Sequence, residues 1–346
     1  PIDGYLDKFT AAALGGSPPD IVDIDVATAM STVAAQGLLD DITDRFADLD
    51  ADDYAPGNWQ ASHYKGRLYG IPDRADSEVY YYNKTCFDAA GVDYPTNDWT
   101  PAQFLDAVQR LTIPGDQFGF GIAADPNTTG NVWSTFLPML WSMGGDVLNA
   151  DHTKAVINSP ESVAAITYWT DLYVKYHVTP DGTPNFNTAR DLQPLFQANK
   201  LCLMTASSNL YDTFNKTEGL EWGTVLSPFK LNMAGGWSMA IPVGAPNPDA
   251  AEVFIKWFAE PDHLAKFMNR TPARVSSQAM APWNDPGYDI FKLATPDSRA
   301  VPGVAGWRQM SIAVVNGLQK VLVGEASAQA AADTAAAEID AIIAAS

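Results

Sequence analysis

The most informative stretch of the sequence is YKGRLYGIP at Tyr64–Pro72, which continues through Asp76 into YYYNK at Tyr80–Lys84. Upstream of it, residues 5–13 have the apolar spacing of an amphipathic helix, and a Gly-Gly-Ser-Pro-Pro-Asp turn follows that cannot remain helical. Residues 21–25 then alternate apolar and acidic side chains, as a strand does. Because helical and strand-like segments go on alternating, the sequence predicts an α/β protein with largely parallel sheets.

Length and charge restrict the class of protein. The 346 residues exceed the usual size of one core and suit two domains, or one discontinuous pair. The net charge of -20 and the pI near 4.3 argue against nucleic acid and anionic membranes as partners. The sequence contains no run of about eighteen apolar residues.

Motifs of enzyme active sites are missing from the sequence. The four histidines are far apart and lack the spacing of a zinc site, and there is no G-x-S-x-G elbow, phosphate-binding P-loop or G-x-G-x-x-G fingerprint. Acidic pairs are so numerous that any two could be mistaken for the carboxylates of a glycosidase. We therefore expect no catalytic residues, no metal site and no cofactor.

The Tyr64–Lys84 stretch resembles the YKGKLYGLPxxxDxxxxxYNK signature of extracellular solute-binding protein family 1, the maltose-binding-protein-like carbohydrate receptors of ABC transporters. Further segments resemble the family in its own order along the chain. They are LPMLWSMGGD at 137–146, FQANKLCLMT at 196–205, GGWSMAIP at 235–242, TPAR at 271–274 and LVGEAS at 322–327. The resemblance therefore extends over the whole chain.

The resemblance implies a two-lobed periplasmic-binding-protein fold of type II, the Venus-flytrap class, with discontinuous α/β lobes. The N-terminal lobe is expected to comprise residues 1–83 and 241–285, and the C-terminal lobe residues 84–236 and 286–346. The lobes would be joined by strands near Tyr80–Lys84 and Gly235–Ile241. The family usually begins with a strand, a helix and another strand before this point, so we expect the native protein to be longer.

The same resemblance implies a receptor rather than an enzyme. It would capture a carbohydrate in a cleft between the lobes, close around it, and deliver it to the transmembrane permease subunits of an ABC importer. We expect an extracytoplasmic location, in the periplasm or as a cell-surface lipoprotein with a lipid anchor on the missing N-terminus, and a monomer.

Tryptophan is abundant, and pyranose rings present apolar faces that flat aromatic side chains can cover. The resemblance places three of the ten tryptophans at the cleft: Trp237, then Trp307, then Trp133. The alternative for each is packing in a core. Packing is the role that we assign to the remaining tryptophans with helical or strand-like neighbours, which are Trp169, Trp222 and Trp257.

Asp76 is the leading polar candidate, because the family has a carboxylate here that accepts hydrogen bonds from sugar hydroxyls. Asp25 ends a predicted strand, at the edge where ligands of open α/β sheets bind, and Thr28 follows it in the loop. For Asp25 and Thr28 a surface-loop acid and a helix N-cap are the alternatives.

Ser207 and Asn209 follow a predicted strand at a turn that faces the ligand in many relatives, and Asn209 offers both a donor and an acceptor. Arg274 could bind a hydroxyl pair or a carboxylate in the cleft, or pair with one of the many acidic residues.

Other functions and one covalent bond remain open at this stage. The solute could be a glycerophosphodiester, a polyamine or a metal; the protein could be an enzyme acting on polysaccharide; or the fold could serve a surface adhesin or sensor. Cys86 and Cys202 allow a single pairing, so they form either a disulfide or two buried thiols.

Overall fold

A computed structural model describes residues 4–127 and 129–345. Its strands, in chain order, are β1 Val22–Asp25, β2 His63–Tyr64, β3 Arg67–Leu68, β4 Ile71–Asp76, β5 Val79–Asn83, β6 Leu203–Ala206, β7 Trp222–Val225, β8 Asn232–Met233, β9 Gly235–Ala240 and β10 Ser298–Arg299. Its α-helices are α1 Tyr5–Leu14, α2 Met30–Ala35, α3 Pro56–Ala61, α4 Lys84–Ala90, α5 Pro101–Arg110, α6 Thr129–Ser142, α7 Pro160–Val174, α8 Gln193–Gln197, α9 Tyr211–Asn215, α10 Pro248–Phe258, α11 Pro261–Phe267, α12 Val275–Gln278, α13 Asp289–Ala294, α14 Trp307–Leu322 and α15 Ala328–Ala344.

The chain forms two compact, discontinuous units. The first contains the residues up to Ser77 together with Ala234–Arg308, and the second contains Glu78–Met233 together with the chain from Gln309 onward. The first two boundaries predicted from the sequence, after residues 83 and 236, lie later in the chain than the observed ones after residues 77 and 233. The third predicted boundary, after residue 285, lies earlier than the observed one after residue 308. The segment up to Arg308 belongs to the first unit because Trp307 is anchored there, with its indole N–H donating to the carbonyl of Ala27 at 2.9 Å.

The sheet of the first unit has the strand order β1-β9-β4, and β9 runs antiparallel to both neighbours. Successive residues of β9 contribute to two different core clusters. Ala240 packs with Ile24, Phe9 and Val33, whereas Met239 packs with Ile71 and Ile255. Helices α1 and α2 therefore cover one side of the sheet, and α10 covers the other.

The sheet of the second unit has the order β6-β5-β7, and its central strand carries consecutive tyrosines. Tyr80 lies 5.7 Å from Phe120 and 5.6 Å from Trp99 between ring centroids. Tyr81 lies 5.4 Å from both Phe214 and Trp222, on the other side of the strand. Aromatic packing on both faces thus holds this sheet in the core of its unit.

The predicted largely parallel sheets are wrong for these strands. In each sheet the two outer strands run in the same direction and are linked through helices, as in a parallel crossover. A third strand from a distant part of the chain, β9 or β5, inserts between them and is antiparallel to both. The family resemblance predicted strands at both inserted segments, near Tyr80–Lys84 and Gly235–Ile241, but the alternation of helices and strands gave no sign that they run antiparallel to their neighbours.

Three local features follow from the residue types in the sequence. Thr100 caps α5, with Pro101 at the first helical position and Gln103 completing a capping box. Asn199 has a φ of 57°, which is the left-handed conformation expected of the turn before β6. The Ala-rich C-terminal segment is helix α15.

The packing role predicted for Trp169, Trp222 and Trp257 holds for the first two and fails for the third. Trp169 is fully buried and Trp222 packs against Tyr81. Trp257 is 44% exposed on α10, because this amphipathic helix buries Ala251 and Ile255 instead.

Over the ranges that the structure describes, every helix is too short or too polar to cross a membrane.

Candidate ligand-binding site

Three of the predicted ligand residues meet at one edge of the first unit's sheet. Asp25 is the last residue of β1 and stands opposite Trp237 of β9. Asp76 is the last residue of β4 and stands opposite Gly235, two residues before Trp237. The strand register therefore brings an aromatic ring and two carboxylates, from segments more than 150 residues apart, to adjacent positions.

Asp76 is mostly buried, and its two carboxylate oxygens differ. Oδ2 accepts a hydrogen bond from Nη1 of Arg270 at 2.7 Å, and the Asp76 side chain is 13% exposed. Oδ1 is buried and has no hydrogen-bond partner among the described residues. A buried acceptor without a donor is costly, so Asp76 offers one oxygen to a ligand while Arg270 fixes the other.

Trp237 is half-buried between two side chains of its own unit. The ring of Tyr5 lies 5.1 Å from the indole, and the guanidinium carbon of Arg74 lies 5.0 Å from the ring centroid. The preceding residue, Gly236, has a φ of 133°, and a Cβ there would lie 2.2 Å from the carbonyl oxygen of Arg74. Glycine is required at this position because β4 approaches β9 so closely.

Arg74 connects the indole to further carboxylates. Its guanidinium pairs with Asp23 at 2.7 Å and with Asp73 at 2.9 Å. Burial raises the pKa of Asp23 and raises that of Asp73 well above its usual range, and Arg74 opposes both shifts. One oxygen of each carboxylate is buried without a hydrogen-bond partner in the described part of the chain. The edge thus has more acceptor oxygens than its own donors satisfy.

Asp25 organises the loop that follows β1. Its Oδ1 accepts hydrogen bonds from the backbone N–H groups of Ala27 at 2.8 Å and Thr28 at 3.1 Å. Burial raises the pKa of Asp25 to about 6, even though these two bonds favour the ionised form. Trp307 is only 1% exposed and donates to Ala27, so it supports this loop and presents no open ring face.

A cavity of about 180 Å³ lies in the first unit next to the same loop. Apolar side chains share its wall with hydrogen-bonding ones; the lining residues are Val26, Ser31, Gln60, Ala61, His63, Val301, Pro302 and Gly303. The Nδ1 atom of His63 is 2.7 Å from the carbonyl oxygen of Trp59, so Nδ1 carries a proton and donates it to that carbonyl. The cavity can therefore hold a small polar molecule.

The remaining candidates from the second unit have internal contacts. The Ser207 hydroxyl donates to Oδ1 of Asn209 at 2.7 Å, and the hydroxyl of Tyr81 donates to the carbonyl of Ser207 at 3.0 Å. These bonds fix the turn after β6. Trp133 is completely buried in α6, with its ring 6.1 Å from Phe136, so in this structure it is a core residue.

Arg274 pairs with an acidic residue, which is the second of the two roles predicted for it from the sequence. Its Nε donates to Asp53 at 2.7 Å, its Nη1 donates to the carbonyl of Ala259 at 2.7 Å, and its guanidinium carbon lies 5.4 Å from the ring centroid of Tyr54. These contacts commit the side chain to the packing of its unit. We therefore remove Arg274 from the set of candidate ligand residues.

Three residues that surround the candidate site were not predicted from the sequence: Arg270, Arg74 and Tyr5. Arg270 stands one residue before the TPAR segment, but nothing in the sequence indicates which arginine reaches Asp76. Within residues 4–127 and 129–345, no three His, Cys, Asp or Glu side chains form a group that could hold a metal ion.

Two curated relatives cover most of the chain. A protein of Brucella abortus (strain 2308), described as a binding protein, is 24% identical over 357 aligned residues, which cover 99% of this chain and 84% of the relative. The sn-glycerol-3-phosphate-binding periplasmic protein UgpB of Pectobacterium atrosepticum is 23% identical and covers 94% of this chain and 78% of its own length.

Two solved structures match the fold closely. An ABC transporter solute-binding protein of Thermotoga lettingae TMO, bound to α-D-tagatose, has a TM-score of 0.88 at 24% identity, covering 98% of this chain and 89% of its own. One from Agrobacterium radiobacter K84, in complex with ribitol, has a TM-score of 0.82 at 26% identity, covering 97% and 88%. These matches confirm the predicted type II periplasmic-binding-protein fold.

The sequence profile of the bacterial extracellular solute-binding proteins matches residues 1–264, about three quarters of the chain. The profile describes extracellular proteins, the two solved structures are ABC transporter solute-binding proteins with a small molecule bound, and the Pectobacterium relative is periplasmic. The chain belongs to the bacterial extracellular solute-binding protein family.

Proposed function

We propose that this protein is the carbohydrate receptor of an ABC importer and that Asp76 orients the sugar. The observation that carries the proposal is the unequal pair of oxygens on Asp76: Arg270 binds Oδ2, and buried Oδ1 lacks a donor within the described residues. A sugar hydroxyl is a neutral donor that satisfies such an oxygen without adding charge. A charge-assisted hydrogen bond of this kind contributes about 1.5–3 kcal/mol.

Trp237 is the proposed aromatic platform. An indole accepts the apolar face of a pyranose ring, while carboxylates beside it accept hydrogen bonds from the polar edge of the sugar. Tyr5 and Arg74 restrict the rotation of the indole, because each contacts it within about 5 Å. A platform held in this way loses little conformational entropy when the ligand binds.

The charge of the site favours a neutral ligand over a phosphodiester. Both arginines are already paired, Arg74 with Asp23 and Asp73, and Arg270 with Asp76. A bound phosphate would have to displace a carboxylate from one of these arginines. The glycerol-3-phosphate specificity in the name of the Pectobacterium relative is therefore the second candidate, and a polyamine that pairs with these acidic side chains is the third.

We assign no catalytic step to the protein. A polysaccharide-acting enzyme would need two carboxyl groups about 5–9 Å apart, free to act as acid and base or nucleophile. In the first unit Asp25 is fixed by the N–H groups of Ala27 and Thr28, and Asp76 is paired with Arg270. These contacts suit groups that position a ligand and remain unchanged.

Five further residues are proposed to bind the ligand on the family resemblance alone: Ser207, Asn209, Thr28, Trp133 and Trp307. Trp133 and Trp307 are buried and would have to become accessible to touch a sugar, so they rank below Trp237. The monomeric state and a lipid anchor are likewise proposals drawn from the resemblance. Light scattering of the purified protein measures the former, and lipid labelling during expression of the full gene tests the latter.

The experiment is a thermal-shift screen against mono-, di- and oligosaccharides, polyols, glycerophosphodiesters and polyamines. A ligand at one hundred times its Kd stabilises the fold by about 2.7 kcal/mol, which raises Tm by several degrees. A shift with one class of sugar, without hydrolysis by chromatography, supports the proposal. A shift with only phosphodiesters or polyamines contradicts the carbohydrate assignment, and sugar products contradict the receptor itself.

Each hit is then measured with Asp76→Asn and with a matched control, Asp53→Asn. Asp53 also pairs with an arginine in the first unit at 2.7 Å, but it lies at a different place in the fold. The sugar shift should be clearly smaller in the first variant and unchanged in the second.

A further inference from the structure

The only two cysteines of the 346-residue sequence lie in the same part of the second unit. Cys86 is in the first turn of α4, and Cys202 directly precedes β6. Both are free thiols in this structure and both are buried, at 1% and 0% exposure. The Cys86 sulfur lies 4.0 Å from the carbonyl oxygen of Asn199, three residues before Cys202, so the fold brings together two cysteines that are 116 positions apart in sequence.

A single asparagine holds the backbone around both cysteines. The N–H of Asn83 donates to the carbonyl of Cys202 at 2.8 Å, and its Oδ1 accepts from the N–H of Cys86 at 3.2 Å. Its Nδ2 donates to Oδ1 of Asn199, in the turn before Cys202, at 2.7 Å. The two thiols are therefore held near each other by hydrogen bonds that require no bond between the sulfur atoms.

We propose that Cys86 and Cys202 form a disulfide in the exported protein, linking α4 to the start of β6. The family to which the chain belongs works outside the cytoplasm, where disulfides persist. The link would close a long loop within one unit, which is the case in which a cross-link most restricts the unfolded chain. This inference does not depend on the identity of the solute.

The oxidant in this step is a disulfide of the export compartment, such as that of a thiol-disulfide oxidoreductase. One cysteine thiolate attacks a sulfur of the oxidant, forming a mixed disulfide and releasing one oxidant thiolate. The second cysteine thiolate then attacks the protein sulfur of the mixed disulfide and releases the other oxidant thiolate. The protein loses two electrons and two protons, and the oxidant gains two electrons and two protons and becomes a dithiol.

Because both cysteine side chains are buried in the folded protein, the disulfide must form before folding is complete. Burial and the neighbouring Cys86 raise the pKa of the Cys202 thiol, so the folded protein has very little thiolate there. An oxidant also cannot reach a side chain with no exposed surface. We therefore expect the bond to form during folding, and the folded reduced protein to oxidise slowly.

The test is the mass of the protein produced in two compartments. Protein exported to an oxidising periplasm and protein made in a reducing cytoplasm are denatured with an excess of an alkylating reagent and without reductant. The exported protein should carry no alkyl group until it is reduced and then carry two, with Cys86 and Cys202 in one cross-linked peptide. Two alkyl groups on the unreduced exported protein, or a disulfide between two chains, would overturn the proposal.

Thermal unfolding gives a second readout with its own control. Protein made in the reducing cytoplasm should unfold about 5–10 °C below the exported protein. The double variant with Cys86→Ala and Cys202→Ala should unfold at the same temperature whichever compartment it comes from. Equal Tm values for wild-type protein from the two compartments contradict the proposed link, and the mass measurement holds even if the double variant folds poorly.

Discussion

Two arginine–carboxylate pairs of the first unit have the same length and different surroundings. Arg274 binds Asp53 and Arg270 binds Asp76, each with N and O atoms 2.7 Å apart. Asp53 also accepts the N–H of Ser276 at 2.8 Å and its hydroxyl at 2.6 Å, so both oxygens are satisfied. Asp76 has one oxygen without a partner among the described residues. The N–O distance therefore does not distinguish an ion pair that stabilises the fold from one that can also bind a ligand. The distinction lies in whether both carboxylate oxygens have hydrogen-bond donors.

The largest effect is expected on stability, at the Arg274–Asp53 pair, in which both carboxylate oxygens are hydrogen-bonded. Arg274→Ala leaves Asp53, whose side chain is 15% exposed, without its cation, and loss of one partner of a buried pair costs about 3 kcal/mol. Chemical denaturation should show this loss in the free energy of unfolding. The affinity of the folded variant for its sugar should not change.

Arg45→Ala is the control for that variant. Arg45 pairs with Asp249 and Glu252 at the surface, where an ion pair contributes less than about 1 kcal/mol. If Arg45→Ala and Arg274→Ala destabilise the protein equally, the Asp53 pair is not the structural element that we describe.

The next largest effect is expected on sugar binding, at the Arg270–Asp76 pair. Asp76→Asn keeps the size of the side chain but removes the charge that strengthens the hydrogen bond to the sugar. Calorimetric titration should show a loss of about 1.5–3 kcal/mol, or roughly 10- to 150-fold in Kd. The free energy of unfolding should fall by less than in Arg274→Ala, because Arg270 is 30% exposed and can be hydrated.

Asp53→Asn should give the opposite result, with stability reduced and affinity retained. Equal affinity losses in the two asparagine variants would mean that both act through the fold, and would remove Asp76 from the site.

A smaller binding effect is expected from the aromatic platform. Trp237→Ala removes a half-buried indole, which we expect to weaken sugar binding by about 1–2 kcal/mol. Trp257→Ala is the matched control, because Trp257 lies in the same unit on α10 and is 44% exposed. Titrations that find both variants unchanged would show that the sugar does not stack on Trp237.

The difference between the two pairs also marks what the sequence can predict. The alternating residues 21–25 are a local pattern that predicted Asp25 at the end of its strand, whereas the family resemblance predicted Asp76 and Trp237. The register of the sheet then brings the three residues together.

The partners of these residues depend on tertiary structure. Arg270 and Arg274 are four residues apart, yet one reaches Asp76 and the other reaches Asp53. That choice depends on the path of the chain between α11 and α12. The burial of Trp133 and Trp307 depends on packing in the same way, so the family resemblance proposed three rings for the cleft but not which of them are accessible.

The smallest expected effect is on pH dependence and contrasts Asp25 with Asp53. Burial raises the pKa of Asp25 to about 6, so the folded protein holds a proton there that the unfolded chain releases near pH 4. Its contribution to stability is therefore present below pH 4 and is lost as the pH rises to 6. Asp53 has the opposite sign, because hydrogen bonds from Ser276 and Arg274 outweigh its burial and lower its pKa.

Denaturation of the wild type and of Asp25→Asn from pH 4 to pH 7 isolates the first contribution. The stability of the wild type relative to this variant should fall by about 1–2 kcal/mol between pH 4 and pH 6 and then stay level. Asp53→Asn provides the contrast, because the wild type should gain stability relative to it as the pH rises through the acid range. A relative stability of Asp25→Asn that does not change between pH 4 and pH 6 would mean that Asp25 is ionised throughout, and that the loop after β1 holds a carboxylate rather than a carboxylic acid.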